Sequence, residues 1–211
     1  MIKVLVADDH AVVRRGLRQI LAETPDIVVG AEAETVDDVM RLVQKESFSV
    51  LLLDVKLRGG SGLDVVAWVK KERPNLPTLI LTMHPEDQYA VRAIKAGAAG
   101  FLTKESAPER LIEAVRKVAG GGRYISAELA ESLASILAGE AKGVPHERLS
   151  DREFEVLKML ASGKTVSEIG HVLGLSVKTV STHRTRILKK MEMRTNAELM
   201  HYAVRNGLLD V

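Results

Sequence analysis

The chain has 211 residues, a net charge of +2, 46% hydrophobic and 27% charged residues, and no cysteine. That length suits two modest domains with separate cores, and no apolar run approaches the roughly 18 residues of a membrane span, which excludes a membrane-embedded protein. A disulfide framework is excluded too, and MIKVLVADD reaches acidic residues before a signal-peptide core could form, so a cytoplasmic location is expected.

The first part alternates two patterns. Short apolar runs (IKVLVA, IVVGAEA, VLLLDV, TLILT, AGFLT) alternate with segments of helical period (AVVRRGLRQILAE, TVDDVMRLVQKES, GLDVVAWVKKER, EDQYAVRAIKAG, PERLIEAVRKVAG). Nearly continuous apolar strands separated by helices predict an α/β domain, a doubly wound five-stranded parallel sheet covered on both faces, over residues 1–120. GGGR at 120–123 follows a helix instead of leading into one from a strand, so it reads as a chain reversal and not as a phosphate cradle. Residues 121–146 read as a linker with one short helix, SAELAESLASILAG, followed by Gly143 and Pro145 among charged residues.

Residues 147–211 are helical by pattern. LSDREFEVLKMLASG has capping-box spacing between Ser150 and Glu153 and closes at Gly163. TVSEIGHVLGL stops at Gly174, SVKTVSTHRTRILKKM is longer, and NAELMHYAVRNG runs from Asn196 to Gly207. An all-α domain of four short helices is predicted.

Polar residues stand at the carboxyl ends of the predicted strands, where an open parallel sheet has its ligand crevice. Asp8 and Asp9 follow the first strand, Asp54 ends VLLLD, Thr82 ends TLILT and Lys104 follows GFLT. A single strand-end aspartate usually caps a turn or helix, but five such groups together point to a site. Converging carboxylates need a cation, and oxygen ligands in that number suit Mg²⁺. A carboxylate nucleophile can form an acyl phosphate while a metal and a lysine neutralise the transferring oxygens, and Asp54, on the central strand, is the natural nucleophile.

VADDH, LLLDV, LTMH and GFLTK, in that order, resemble the signature blocks of the receiver domain of bacterial response regulators. The resemblance implies a flavodoxin-like fold with Asp54 as phosphoacceptor. It further implies Mg²⁺ held by Asp9, Asp54 and the backbone carbonyl of Lys56, with Asp8 assisting through water. Thr82 and Lys104 would grip the phosphoryl group, and Phe101 would rotate as Thr82 moves. The chain departs from the family pattern after the acceptor: the family usually reads Met-Pro-Gly, and DVKLRGGSG has Leu57 and Arg58 in those positions, so without proline a less rigid loop is expected. Glu105 follows the lysine. His84 lies where receivers tune acyl-phosphate hydrolysis, and His10 reads as a surface neighbour of the acidic pair.

Residues 176–194 concentrate positive charge: Lys178, Arg184, Arg186, Lys189, Lys190 and Arg194 against Glu192 alone. The preceding helix, tight glycine turn and basic helix have the helix-turn-helix layout. At 100° per residue Val180, Ile187 and Met191 share one side, and Lys178, Ser181, Thr182, Thr185 and Lys189 the other. An amphipathic helix with a solvated face has the same pattern. The stretch from LSDREFEVL to STHRTRILKKM, however, resembles the LuxR-type DNA-binding domain, with Gly170 where alanine is usual. The resemblance implies that Lys178, Ser181, Thr182 and Thr185 face DNA, that Arg186 and Lys189 approach phosphates, and that His183 packs. It also implies that Leu199, Met200, Ala203 and Val204 pair two monomers, although their spacing serves equally for packing inside one bundle.

A receiver followed by a LuxR-type domain resembles NarL/FixJ-type response regulators. This implies a homodimeric transcription factor switched by a sensor histidine kinase and bound to double-stranded promoter DNA, and not an enzyme beyond its own phosphoryl transfer. A phosphohydrolase would use the same carboxylates, but Lys56 stands where its general acid would be. The remaining alternative is a DNA-binding regulator that needs no phosphorylation.

Overall fold

The computed structural model describes residues 1–83, 86–106, 108–137 and 144–209. The chain forms two compact units, Met1–Ala138 and Gly139–Val211. The first unit therefore extends past the expected end at residue 120.

In the first unit, β1 (Ile2–Ala7), α1 (Ala11–Ala22), β2 (Ile27–Ala33), α2 (Val36–Lys45) and β3 (Val50–Leu53) are followed by a two-stranded hairpin, β4 (Lys56–Leu57) and β5 (Gly60–Ser61). Then come α3 (Gly62–Glu72), β6 (Thr78–Thr82), α4 (Glu86–Ala96), β7 (Gly100–Thr103), α5 (Pro108–Ala119) and α6 (Ala127–Leu137). The main sheet is parallel with strand order β2-β1-β3-β6-β7, the flavodoxin-like arrangement. The α/β fold and its five strand–helix units are those expected from the periodicity.

Side chains alternate across each strand, so the apolar strands feed two cores. Val4, Val6, Val50, Leu52, Leu79, Leu81 and Leu102 pack on one face with Leu17 and Leu21 of α1 and Leu111, Val115 and Val118 of α5. Leu5, Leu51, Leu53, Ile80 and Phe101 are buried on the alternate register positions. Each such side chain contributes about 1.5–3 kcal/mol on burial, which fixes strand register and with it the position of every strand end.

The glycine run after α5 reverses the chain, as its position predicted. Tyr124 then lies beside β7: its amide donates to the Ala99 carbonyl (3.0 Å), and its own carbonyl accepts from the Phe101 amide (3.0 Å). That return carries α6 onto α4, which is why the segment expected as linker belongs to the first unit.

The second unit has a short 3₁₀ turn (Pro145–Arg148), then α7 (Asp151–Ala161), α8 (Val166–Leu173), α9 (Val177–Lys190) and α10 (Asn196–Arg205). Ser150 and Glu153 form the expected capping box on α7, and Thr165 with Glu168 forms another on α8. Helix α10 starts at Asn196, as expected, and is capped by Thr195; Asn196 accepts a hydrogen bond from Arg184 Nε (2.7 Å). Phe154, Leu157, Ile169, Val180, Ile187, Leu199 and Ala203 form the core. At Gly170 a Cβ would stand 2.8 Å from the Leu175 carbonyl oxygen, whose chain turns back there into α9. The departure from alanine therefore permits a tight α8–α9 turn.

Glu153 is buried, caps α7 through the Ser150 amide (2.8 Å) and pairs with Lys190 of α9 (2.6 Å). Burial pushes its carboxyl up, but the Lys190 and Ser150 hydrogen bonds outweigh that and hold it below the usual glutamate range. A lowered native pKa stabilises the fold above the unfolded-state value and loses that contribution as pH falls through the native one. Glu153→Ala is expected to reduce protection of the α7 amides in hydrogen exchange by about 2 kcal/mol at neutral pH, a difference that shrinks as the solution is acidified below about pH 4.

Candidate functional site

The ends of β1, β3, β6 and β7 bring the expected residues together. Ladder-type hydrogen bonds set their backbones: the Asp8 amide donates to the Ala33 carbonyl (3.1 Å), that of Asp54 to Ala7 (2.9 Å) and that of Lys104 to Thr82 (2.8 Å). Asp8, Asp54 and Thr82 are buried, and the Lys104 side chain is 8% exposed.

The Lys104 ammonium bridges the two buried carboxylates, 2.5 Å from Asp8 Oδ2 and 2.6 Å from Asp54 Oδ2. The second Asp54 oxygen accepts the Lys56 amide at 3.3 Å, and Asp8 Oδ1 accepts the His10 amide at 2.8 Å. Burial pushes the Asp54 carboxyl above its ordinary value; Lys104 opposes this and neighbouring Asp8 adds to it. Burial pulls Lys104 down, but hydrogen bonds to Asp54 and Asp8 prevail and raise its pKa, so the ammonium stays charged at neutral pH.

Asp9 is less enclosed, with its side chain 24% exposed. Its buried Oδ1 makes no hydrogen bond among the described residues, although the His10 ring nitrogen Nδ1 lies 2.7 Å away. Ligand atoms of Asp8, Asp9, His10 and Asp54 all lie within 4.8 Å of one another. Three carboxylates facing one lysine leave excess negative charge, and with the unbonded Asp9 oxygen this donor set fits a hard divalent cation. The His10 ring is 68% exposed, as expected of a surface neighbour, although it touches both acids. His84 lies outside the described residues.

The loop after Asp54, which lacks proline, forms the β4–β5 hairpin and is bonded through the Gly62 amide to the Val55 carbonyl (2.8 Å) and through the Arg58 carbonyl to the Val36 amide (3.0 Å). Gly62 is required there: a Cβ would meet the Asp54 carbonyl oxygen at 2.2 Å. Phe101 is 2% exposed and pairs in register with Ile80 of β6. By alternation, it faces the same side of the sheet as Thr82.

In the second unit Lys178, Ser181, Thr182, Thr185, Arg186 and Lys189 are all exposed on α9, while Val180, Ile187 and Met191 are buried. The Thr182 and Thr185 hydroxyls donate to the carbonyls of Lys178 (2.9 Å) and Ser181 (3.0 Å). Outward they therefore present methyl groups and acceptor lone pairs. Lys190 is engaged by Glu153, so the basic face is narrower than the sequence count. Helix α10 splits the expected pairing set. Leu199 and Ala203 are buried in their own domain and cannot line a surface, whereas Met200 (41% exposed) and Val204 (64%) can.

A crevice of buried carboxylates with a bridging lysine at the ends of a 2-1-3-4-5 parallel sheet, joined to a helix-turn-helix bundle, defines a phosphorylation-type regulator of DNA. Family models agree: the response regulator receiver domain matches residues 4–116, and the LuxR family of bacterial regulatory proteins matches residues 147–203. The chain belongs to the response regulators and is a two-component transcriptional regulator of the NarL/FixJ type. Among its relatives, the response regulator GacA of Pseudomonas aeruginosa is 36% identical over 211 residues, covering 100% of this chain and 99% of that protein. The response regulator UvrY of Escherichia coli K12 is 35% identical over 209 residues, 99% and 96% of the two chains. Among solved structures, RcsB of Salmonella enterica serovar Typhimurium bound to promoter rprA with the phosphomimetic BeF3⁻ gives a TM-score of 0.68 at 26% identity, covering 95% of this chain and 97% of that one.

If Lys104 compensates the buried acids, its removal should cost more than removal of one acid. Lys104→Ala is expected to destabilise the first domain by about 3 kcal/mol. Asp54→Asn should leave stability unchanged or raise it by up to about 1 kcal/mol, because Asp8 keeps its partner and a repulsion disappears. Urea unfolding followed by Trp68 fluorescence checks this, since the chain's one tryptophan lies in α3.

Proposed function

We propose that Asp54 accepts a phosphoryl group from a sensor histidine kinase and that this charge controls promoter binding by α9. The observation that carries the reading is the Lys104 ammonium held between Asp54 and Asp8 at the strand ends.

An Asp54 oxygen attacks the phosphorus of a phosphohistidine, a P–O bond forms as the P–N bond breaks, and the imidazole leaves with the electron pair. Lys104, charged and already within reach, shifts from the carboxylate to the phosphoryl oxygens, and the Thr82 hydroxyl donates to them. Asp9, Asp54 and the Lys56 carbonyl would hold Mg²⁺, with Asp8 assisting; when bound, the ion offsets negative charge on the transferring group. Movement of Thr82 toward the phosphoryl group opens space on the face it shares with Phe101, whose reorientation carries the change to the domain surface. The protein is thus a phosphoacceptor and not a turnover enzyme, acting in the cytoplasm where DNA and kinase meet.

On DNA, Lys178, Ser181, Thr182 and Thr185 face base edges in the major groove, and Arg186 and Lys189 contact phosphates. Two copies pair through Met200 and Val204 of α10, matching a two-fold site.

Incubation with a radiolabelled small phosphodonor and Mg²⁺ tests the acceptor: label enters the wild type and falls to background in Asp54→Asn. Labelling of the variant at the wild-type rate places the acceptor elsewhere. For the interface, Lys189→Ala should weaken binding to all sequences alike and reduce the salt slope by about one, whereas Ser181→Ala should alter base preference by about 1–3 kcal/mol at one position. Binding to a randomised DNA pool at several salt concentrations separates the two.

A further inference from the structure

Behind the acidic pocket lies a chain of charges that the steps above do not use. Arg14 sits on the inner face of α1 with Leu17 and Leu21, and is buried. Its Nη1 donates to the backbone carbonyl of Asp8 (2.7 Å), its Nε to Glu32 (3.1 Å) and its Nη2 to Glu34 Oε1 (2.5 Å). The other Glu34 oxygen accepts from Arg58 Nη2 at 2.6 Å. Arg58 lies between β4 and β5, two residues past Lys56, and its backbone carbonyl is bonded to the Val36 amide.

The geometry points to Arg14 and Glu34 as positioning residues for the cation site, with Arg58 as their anchor in the loop after Asp54. The inference rests on the phosphoacceptor reading above. Fixing the Asp8 carbonyl fixes the plane of the Asp8–Asp9 peptide, and so the position of the Asp9 Cα from which its side chain departs. Through Glu34 the same guanidinium is tied to the loop that carries the Lys56 carbonyl. Two separate backbone segments that supply ligands are thereby held at one spacing by a bridging carboxylate, each of whose oxygens takes one arginine. The rigid fork of Arg14 suits this; a lysine could not hold the carbonyl and both glutamates in fixed directions.

An ordinary surface ion-pair network would contribute little to anything. The Glu34–Arg58 end is half-exposed, with side chains 49% and 59% accessible, so its loss should barely touch folding. A positioning role predicts instead a loss of cation affinity, of the order seen when outer partners of metal ligands are removed.

The test is Mg²⁺ titration of the full-length protein, followed by the amide resonances of Asp9 and Lys56, for wild type, Glu34→Gln, Arg58→Gln, the double variant and Asp54→Asn. Glu34→Gln and Arg58→Gln should each weaken Mg²⁺ binding by about 10-fold, the double variant no more than either, with urea midpoints unchanged. The two single variants change net charge in opposite directions. A long-range field effect would therefore weaken binding in Glu34→Gln and strengthen it in Arg58→Gln, and that outcome overturns the positioning role. Affinities within twofold of wild type for both, alongside a clear loss in Asp54→Asn, overturn this inference and leave the phosphoacceptor reading standing. If the wild type shows no Mg²⁺-dependent shift, the phosphoacceptor reading fails and this inference with it.

Discussion

The first domain is organised around one electrostatic constraint: two buried carboxylates share a single ammonium. Asp8 and Asp54 directly follow neighbouring strands, β1 and β3, and a parallel ladder necessarily delivers the carboxyl ends of those strands side by side. Without Lys104 the pair would be a repulsive, desolvated defect. With it the site is satisfied in part, because Asp9 still adds a third negative charge with an unbonded oxygen. The apolar strands make this arrangement possible. Their buried side chains lock register on both faces, so the acids are held together by hydrophobic packing elsewhere in the domain and not by any attraction of their own.

Some of this was legible in the amino-acid order. VLLLD, TLILT and GFLT are nearly continuous apolar runs, and each run stops at a polar group, which locates the strand ends. The residues of the acidic site followed from those endings. The hairpin after Asp54 was not legible, because DVKLRGGSG has no alternation and part of its bonding comes from the distant Val36 amide at the start of α2. Arg14 was missed although a signal existed: it falls three residues before Leu17 and seven before Leu21, on the buried face of α1, where an arginine needs several acceptors. The docking of α6 depends on the surface of α4, which no local pattern encodes. Periodicity likewise could not divide α10. Leu199 and Ala203 share one face with Met200 and Val204 nearby, and only the three-dimensional bundle decides that the first two are core.

The second domain repeats the distinction between engaged and available charge. Lys189 and Lys190 are adjacent in sequence and both exposed, yet the Lys190 ammonium is bonded to the buried Glu153. A count of basic residues treats them as equal; the fold ties one of them to a buried carboxylate. The threonine hydroxyls follow the same logic. Once Thr182 and Thr185 donate to their own helix, what they offer outward is a methyl group and lone pairs, so they suit thymine methyls and amino donors on base edges.

On the proposed reading these two halves are complementary in sign. Phosphorylated Asp54 carries about −1.5 to −2 charges where the carboxylate carried −1, in a pocket whose acids already outnumber its lysine. Such a group can remain only if Lys104, Thr82 and a cation rearrange around it, so its arrival necessarily selects a different arrangement of the strand ends. Since Thr82 shares its face of the sheet with the buried Phe101, that rearrangement is coupled to core packing, which is bistable and not continuously deformable. A differential stabilisation of about 3 kcal/mol would then shift the population more than a hundredfold, enough to switch a DNA-binding helix whose own surface needs no alteration.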